Sequence, residues 1–142
     1  MKRLHVHISV EDLAAARRFY SALFGVEPTV DKPDYAKWLL DDPRVNLAIS
    51  ERSCCEPGID HLGVQADSAH EFSELHARLA EAHYGTLEEK AANCCYARSD
   101  KHWAVDPAGV TWEIFHTLGT AETYGEDHVS TPQVRAALAP GT

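Results

Sequence analysis

The chain has 142 residues, enough for one domain of ordinary size, and its 44% hydrophobic content supplies a core and excludes global disorder. A formal net charge of −9 excludes nucleic acid and anionic membrane as main partners, because both are gripped through basic patches. No apolar run approaches the roughly 18 residues of a membrane span, and MKRLHVHISV lacks a signal-peptide apolar segment, so a cytoplasmic protein is expected. Leu4 to Val10 then alternates, with Leu4, Val6, Ile8 and Val10 on one face and His5, His7 and Ser9 on the other, which is strand period. Asp12 is an N-cap candidate for a helix whose Leu13, Ala16, Phe19, Tyr20 and Leu23 recur at helical spacing until Gly25. A short strand fits near Glu27 to Val30. Tyr35 to Leu40 and Val45 to Ser50 read as strands joined by the turn Asp41-Asp42-Pro43.

Arg52 to Gly58 is a polar connector holding Cys54 and Cys55, and after it the order restarts. Ile59 to Ala66 is a strand, Asp67-Ser68 offers a cap, and Phe72, Leu75 and Leu79 mark a helix to about His83. Thr86 to Glu89, Cys94 to Arg98, His102 to Val105 and Val110 to His116 are strand candidates, the last two joined by the turn Asp106-Pro107-Ala108-Gly109. The chain thus contains a βαβββ unit twice, a repeat of order rather than of residues. The fold class expected is α+β, with module one over 1–51, the connector over 52–58 and module two over 59–117. Residues 118–142 show little periodicity and read as a C-terminal arm or flexible tail.

Glu113 is a lone acid in an apolar strand, and burying it unpaired would cost several kcal/mol. A metal ion is one available partner. His5 and His7 share a strand face, His61 opens the corresponding strand of the second unit, and Glu113 lies in that unit's last strand. If the units pack side by side, two imidazoles and one carboxylate converge as a 2-His-1-carboxylate set, which leaves open positions and suits non-haem Fe(II). Set against this, His61 also reads as a core histidine satisfied by hydrogen bonds. The cysteines form two adjacent pairs, Cys54-Cys55 and Cys94-Cys95, in neither zinc-finger nor CxxC spacing. Strand neighbours point to opposite faces, but in a loop both sulfurs of a pair can meet one soft atom.

HVHISVEDLAAARRFYSALFG, DHLGVQ and DPAGVTWEIF together resemble the vicinal-oxygen-chelate superfamily, which includes glyoxalase I, bleomycin- and fosfomycin-resistance proteins and extradiol dioxygenases; the likeness spans Leu4 to about Thr117. Tyr35-Ala36, Cys94-Cys95-Tyr96-Ala97 and Asp100-Lys101-His102-Trp103 narrow it, being similar to blocks of the carbon–arsenic lyases and the related cadmium-induced proteins. The resemblance implies two βαβββ modules forming a cupped mixed sheet around a metal. It places the ligands at His5, His61 and Glu113, with His61 and Glu113 as the catalytic groups; His7, two residues from His5, is the competing candidate ligand and is read as a supporting neighbour. Those lyases usually carry Gln at the position of His5; imidazole serves Fe(II), Ni(II) or Zn(II) there, with Fe(II) preferred. Glyoxalases add a fourth ligand, a Glu, in the last strand of module one; the repeat puts Asn46 there, without the charge. The resemblance further implies that Cys94 and Cys95 hold trivalent arsenic, with Tyr96, Lys101 and Trp103 lining the substrate pocket. The expected protein is an Fe(II)- and O2-dependent lyase acting on a small molecule, a trivalent organoarsenical. Because one chain carries both modules, either a monomer or a homodimer is compatible. A non-catalytic Cd(II) or As(III) binder and a glyoxalase-type isomerase are the competing readings.

Overall fold

The computed structural model describes residues 1–52, 55–121, 124–125 and 129–139; Cys54 of the connector pair lies outside them. Module one runs β1 (Arg3–Ser9), α1 (Leu13–Phe24), β2 (Val30–Lys32), β3 (Tyr35–Asp41) and β4 (Arg44–Ser50). Module two repeats the order as β5 (Gly58–Ala66), α2 (Ala69–Glu81), β6 (Leu87–Cys94), β7 (Ala97–Val105) and β8 (Thr111–Thr120). The βαβββ repeat is therefore present in both halves. A third helix, α3 (Thr131–Leu138), follows where the sequence reads as tail.

The eight strands form one mixed sheet in the order β2-β3-β4-β1-β5-β8-β7-β6. Each module's first strand pairs in parallel with its own last strand, β1 with β4 and β5 with β8, and the modules join where β1 meets β5 antiparallel. The two histidine-bearing strands thus lie side by side at the centre of the sheet. β1 uses both faces. Val6 and Ile8 pack toward the core of Leu13, Trp38 and Ile49 beneath α1, while His5, His7 and Ser9 are buried on the opposite face. Asp12 caps α1 by accepting from the Ala15 amide at 3.0 Å, and Gly25 ends it in the left-handed region at φ 68°.

Several expectations change, the first being the short strand expected near Glu27 to Val30, which forms over Val30–Lys32. The predicted strand Cys94 to Arg98 is split: Cys94 ends β6, Ala97 begins β7, and Cys95 and Tyr96 form the two-residue turn between them, both at positive φ (57° and 60°). β8 runs on to Thr120, across the expected boundary at 117. The segment expected as an arm or flexible tail contains α3, capped by Ser130 with Pro132 in its first turn and with Val134 fully buried. Among the described residues no helix is long and apolar enough to cross a membrane.

Candidate functional site

Register decides which side chains meet. His5 pairs with Gly63 across β1–β5, and Gly63 pairs with Glu113 across β5–β8. A row thus runs His5, Gly63, Glu113, with no side chain in its middle. A Cβ at Gly63 would collide with the Glu113 carbonyl oxygen, so only glycine lets β5 and β8 approach this closely. His61, two residues from Gly63 on the same strand face, leans over the gap. Its Nε2 lies 3.3 Å from His5 Nε2 and 3.2 Å from Glu113 Oε2. His7 pairs directly with His61, their ring centroids 5.0 Å apart. One ligand nitrogen from each of His5, His7 and His61 falls within 4.8 Å of the others. The structure therefore gathers His5, His7 and His61 into one donor cluster and sets Glu113 against its His61 member, so His7 lies closer than a supporting role requires.

The outer partners fix the tautomers. His5 Nδ1 donates to the Asn46 carbonyl at 3.0 Å, and His61 Nδ1 donates to Asp60 Oδ2 at 2.7 Å. Each ring then presents its Nε2 lone pair to the other, next to a carboxylate, an arrangement that needs a cation. A proton is the smallest: although burial lowers it, the Asp60 and Glu113 carboxylates raise His61 to about 9. Burial lowers His5 to about 3, which keeps it neutral and able to ligate. Buried imidazoles with a carboxylate are also a donor set suited to a divalent first-row metal, so the residues fit such an ion. Burial alone would raise Glu113, but Lys101 and His61 hold it well below the ordinary carboxylate range. Lys101 Nζ is 3.5 Å from Glu113 Oε2.

Asp60 was not singled out in the sequence. It can reach His61 because the β1–β5 ladder slips here: His7 faces His61 while Ile8 faces Ile59, leaving Asp60 as the extra residue of a bulge. Bulges re-aim side chains in this way.

The thiol pair sits at the β6–β7 turn, where positive φ at Cys95 breaks strand alternation and brings both sulfurs to one side, 2.9 Å apart. Cys95 lies well below the usual thiol range, first because Cys94 hydrogen-bonds to it and then, against burial, because of His7 and Lys101. Cys94 lies well above that range, raised by the Cys95 sulfur and by burial. Both cysteines line a cavity of about 560 Å³ shared with His7, His61, Glu113 and Trp103. Trp103 is 5.1 Å from the His61 ring and donates from Nε1 to Glu89 Oε1 at 2.9 Å.

The other two predicted pocket residues sit elsewhere. Lys101 lies behind Glu113, along a smaller cavity with Asn46, Lys37 and Ser99. Asn46 is in the row of His5 but offers an amide, donating to Gln65 Oε1 at 3.0 Å. Tyr96 turns out of the main cavity and donates to Asp34, whose carboxylate raises it to about 12.

Residues beyond 120 complete the site, which the sequence reading missed. The Ala121 amide bonds the Tyr96 carbonyl at 2.9 Å, and Cys95 Sγ bonds the Tyr124 hydroxyl at 3.3 Å. At the start of α3, Thr131 Oγ1 donates to Asp60 Oδ1 at 3.4 Å, and just before the helix the Val129 amide donates to Glu89 Oε1 at 3.0 Å.

Comparison with known proteins agrees with this architecture. The model of the family described as Glyoxalase/Bleomycin resistance protein/Dioxygenase superfamily matches residues 2–114. The cadmium-induced protein CadI of Mycobacterium tuberculosis is 38% identical over 125 residues, covering 88% of this chain and 82% of its own. A trivalent organoarsenical cleaving enzyme from Bacillus sp. (strain MD1) is 41% identical over 124 residues, covering 86% and 77%. Among solved structures, an extradiol ring-cleaving dioxygenase from B. fuscum superposes with a TM-score of 0.60 at 19% identity, over 96% of this chain and 36% of that one.

Proposed function

The chain belongs to the Glyoxalase/Bleomycin resistance protein/Dioxygenase superfamily, and on that footing we propose that it is an Fe(II)- and O2-dependent lyase cleaving the carbon–arsenic bond of trivalent organoarsenicals. One observation carries the reading: two sulfurs 2.9 Å apart face the same cavity as His61 and Glu113. A single thiophilic atom bridges such a pair, and trivalent arsenic with one organic substituent has two bonds to give. As each As–S bond forms, the thiol loses its proton and hydroxide on arsenic leaves as water. The relatives named as organoarsenical cleaving enzymes support the same reading.

His5, His61 and Glu113 hold the metal in this proposal, with His7, which shares one donor cluster with His5 and His61, a competing ligand. Fe(II) bound there supplies the capacity to bind and activate O2. Asp60 orients His61, and Lys101 keeps Glu113 ionised. Trp103 walls the cavity, whose volume admits an organic group larger than methyl. Oxygen enters the carbon–arsenic bond, and arsenite and an oxidised organic fragment leave. The glyoxalase alternative loses ground at Asn46, whose amide replaces the carboxylate of a fourth ligand.

The test is anaerobic Fe(II) loading followed by an aerobic assay with a trivalent methyl or phenyl arsenical. Release of arsenite with consumption of O2 is expected, and Cys94→Ser or Cys95→Ser should each remove most substrate affinity. Stoichiometric binding without release would overturn the proposal in favour of a sequestering protein.

A further inference from the structure

The connector's thiols have no part in the reaction just described, yet Cys55 lines the same cavity as Cys94 and Cys95. A chain of contacts ties the connector to the thiol turn. The Cys55 amide bonds the Arg52 carbonyl at 3.3 Å, and the Arg52 guanidinium lies 4.7 Å over the Tyr124 ring. The Tyr124 hydroxyl in turn bonds the Cys95 sulfur. Cys55 is thereby linked to the turn of Cys94 and Cys95, with which it shares the cavity wall.

We propose that Cys55 supplies a third sulfur, beside Cys94 and Cys95, for inorganic trivalent arsenic, so that the site binds the inorganic product more firmly than the organic substrate. The inference rests on the thiol-capture reading above. Its chemical basis is valence. Trivalent arsenic makes three bonds; in an organoarsenical one goes to carbon and two remain for Cys94 and Cys95. Once carbon has gone, a third bond is open. Free arsenite loads the same way: three thiols replace three hydroxyls, three waters leave, and arsenic stays trivalent, so no oxidant or reductant is needed. Soft thiolates favour this thiophilic centre, and the third bond forms within one molecule, where linkage raises the effective concentration of the incoming group. Turnover would then be limited by release of arsenite, or by its removal by an external thiol.

Sodium arsenite and phenylarsine oxide separate the possibilities when titrated into the full chain, with arsenic-edge X-ray absorption counting the sulfurs. The wild type should show three sulfurs around arsenite and two around phenylarsine oxide. Cys55→Ser should show two sulfurs and one oxygen around arsenite, with affinity weaker by on the order of a hundredfold, and should bind phenylarsine oxide as the wild type does. Cys54→Ser should behave as the wild type with both ligands. Three sulfurs retained in Cys55→Ser, or one lost in Cys54→Ser instead, overturns the assignment. If Cys94→Ser and Cys95→Ser still bind phenylarsine oxide normally, the capture reading itself is wrong. If they lose it while Cys55→Ser holds arsenite like the wild type, only the third-thiol inference is wrong.

Discussion

Replacing Lys101 by Met is the sharpest test of how the site is held together. Lys101 and Glu113 are 3% and 5% exposed, and their charges lie 3.5 Å apart. At the effective dielectric of about 20 that describes protein sites, this separation corresponds to an attraction of about 5 kcal/mol. Removing one partner of a buried pair typically costs about 3–5 kcal/mol, because the remaining charge stays buried without its counter-ion. His61, raised to about 9 by Asp60 and Glu113 against the effect of burial, offers Glu113 a second cation at neutral pH. The lower end, about 3 kcal/mol, is therefore expected for the metal-free protein. Urea unfolding at constant m-value measures it. The loss should shrink in the Glu113→Gln background, where no charge is stranded, and also on saturation with a divalent metal. A Lys101→Met variant within about 0.5 kcal/mol of the wild type, or a loss undiminished in the Glu113→Gln background, would show that Lys101 is not the counter-ion.

Further outcomes follow from the same geometry. His61→Ala should abolish stoichiometric metal binding while circular dichroism stays native; metal content equal to the wild type would remove His61 from the ligand set. The metal-free protein should be most stable near pH 6.5. His61's contribution is complete below 6.5 and is lost as pH rises through about 9, roughly 3 kcal/mol in all, whereas His5, held neutral to about 3, costs about 1.4 kcal/mol for each unit below 6.5. A urea midpoint unchanged on either side of neutrality would contradict both assignments. Gly63→Ala should destabilise the fold by about 1–3 kcal/mol and weaken metal binding, since its Cβ forces β8 and Glu113 outward; metal affinity unchanged by this substitution would show that the close approach is not required.

Alternation in Leu4 to Val10 makes the first central strand legible, because period two needs only a few residues to declare itself. The same pattern placed His5 and His7 on one face, and the apolar run around Glu113 marked an acid in need of a partner. The thiol turn was harder: Cys95 and Tyr96 occupy left-handed positions without the Gly or Asn that normally signals such a turn, so Cys94 to Arg98 read as a strand. Asp60 was hidden for a different reason. Strict alternation aims it away from His61, and only the bulge in β5, a property of the pairing, turns it back. α3 did carry a local signature, Ser130 and Gln133 in capping-box spacing with Pro132 between them, but eight residues are too few to establish a helical period.

The C-terminal segment joins the two chemistries that the sequence treats separately. Nothing in the ladder of β5 requires Asp60 to stay on His61, and nothing in a two-residue turn requires both sulfurs to face inward. The segment after β8 acts on both points. Gly125, at φ 85°, passes so close to the Asn93 carbonyl that a Cβ would collide with it, and Tyr124 meets the Cys95 sulfur from there. Val129 and Thr131 then bond Glu89 and Asp60, which in turn hold Trp103 and His61. Buried Val134 anchors the helix that keeps these donors in place. A displacement of this segment would loosen the thiol turn and the metal-ligand support together, so the arsenic-binding and metal-binding halves of the proposed site share one mechanical support.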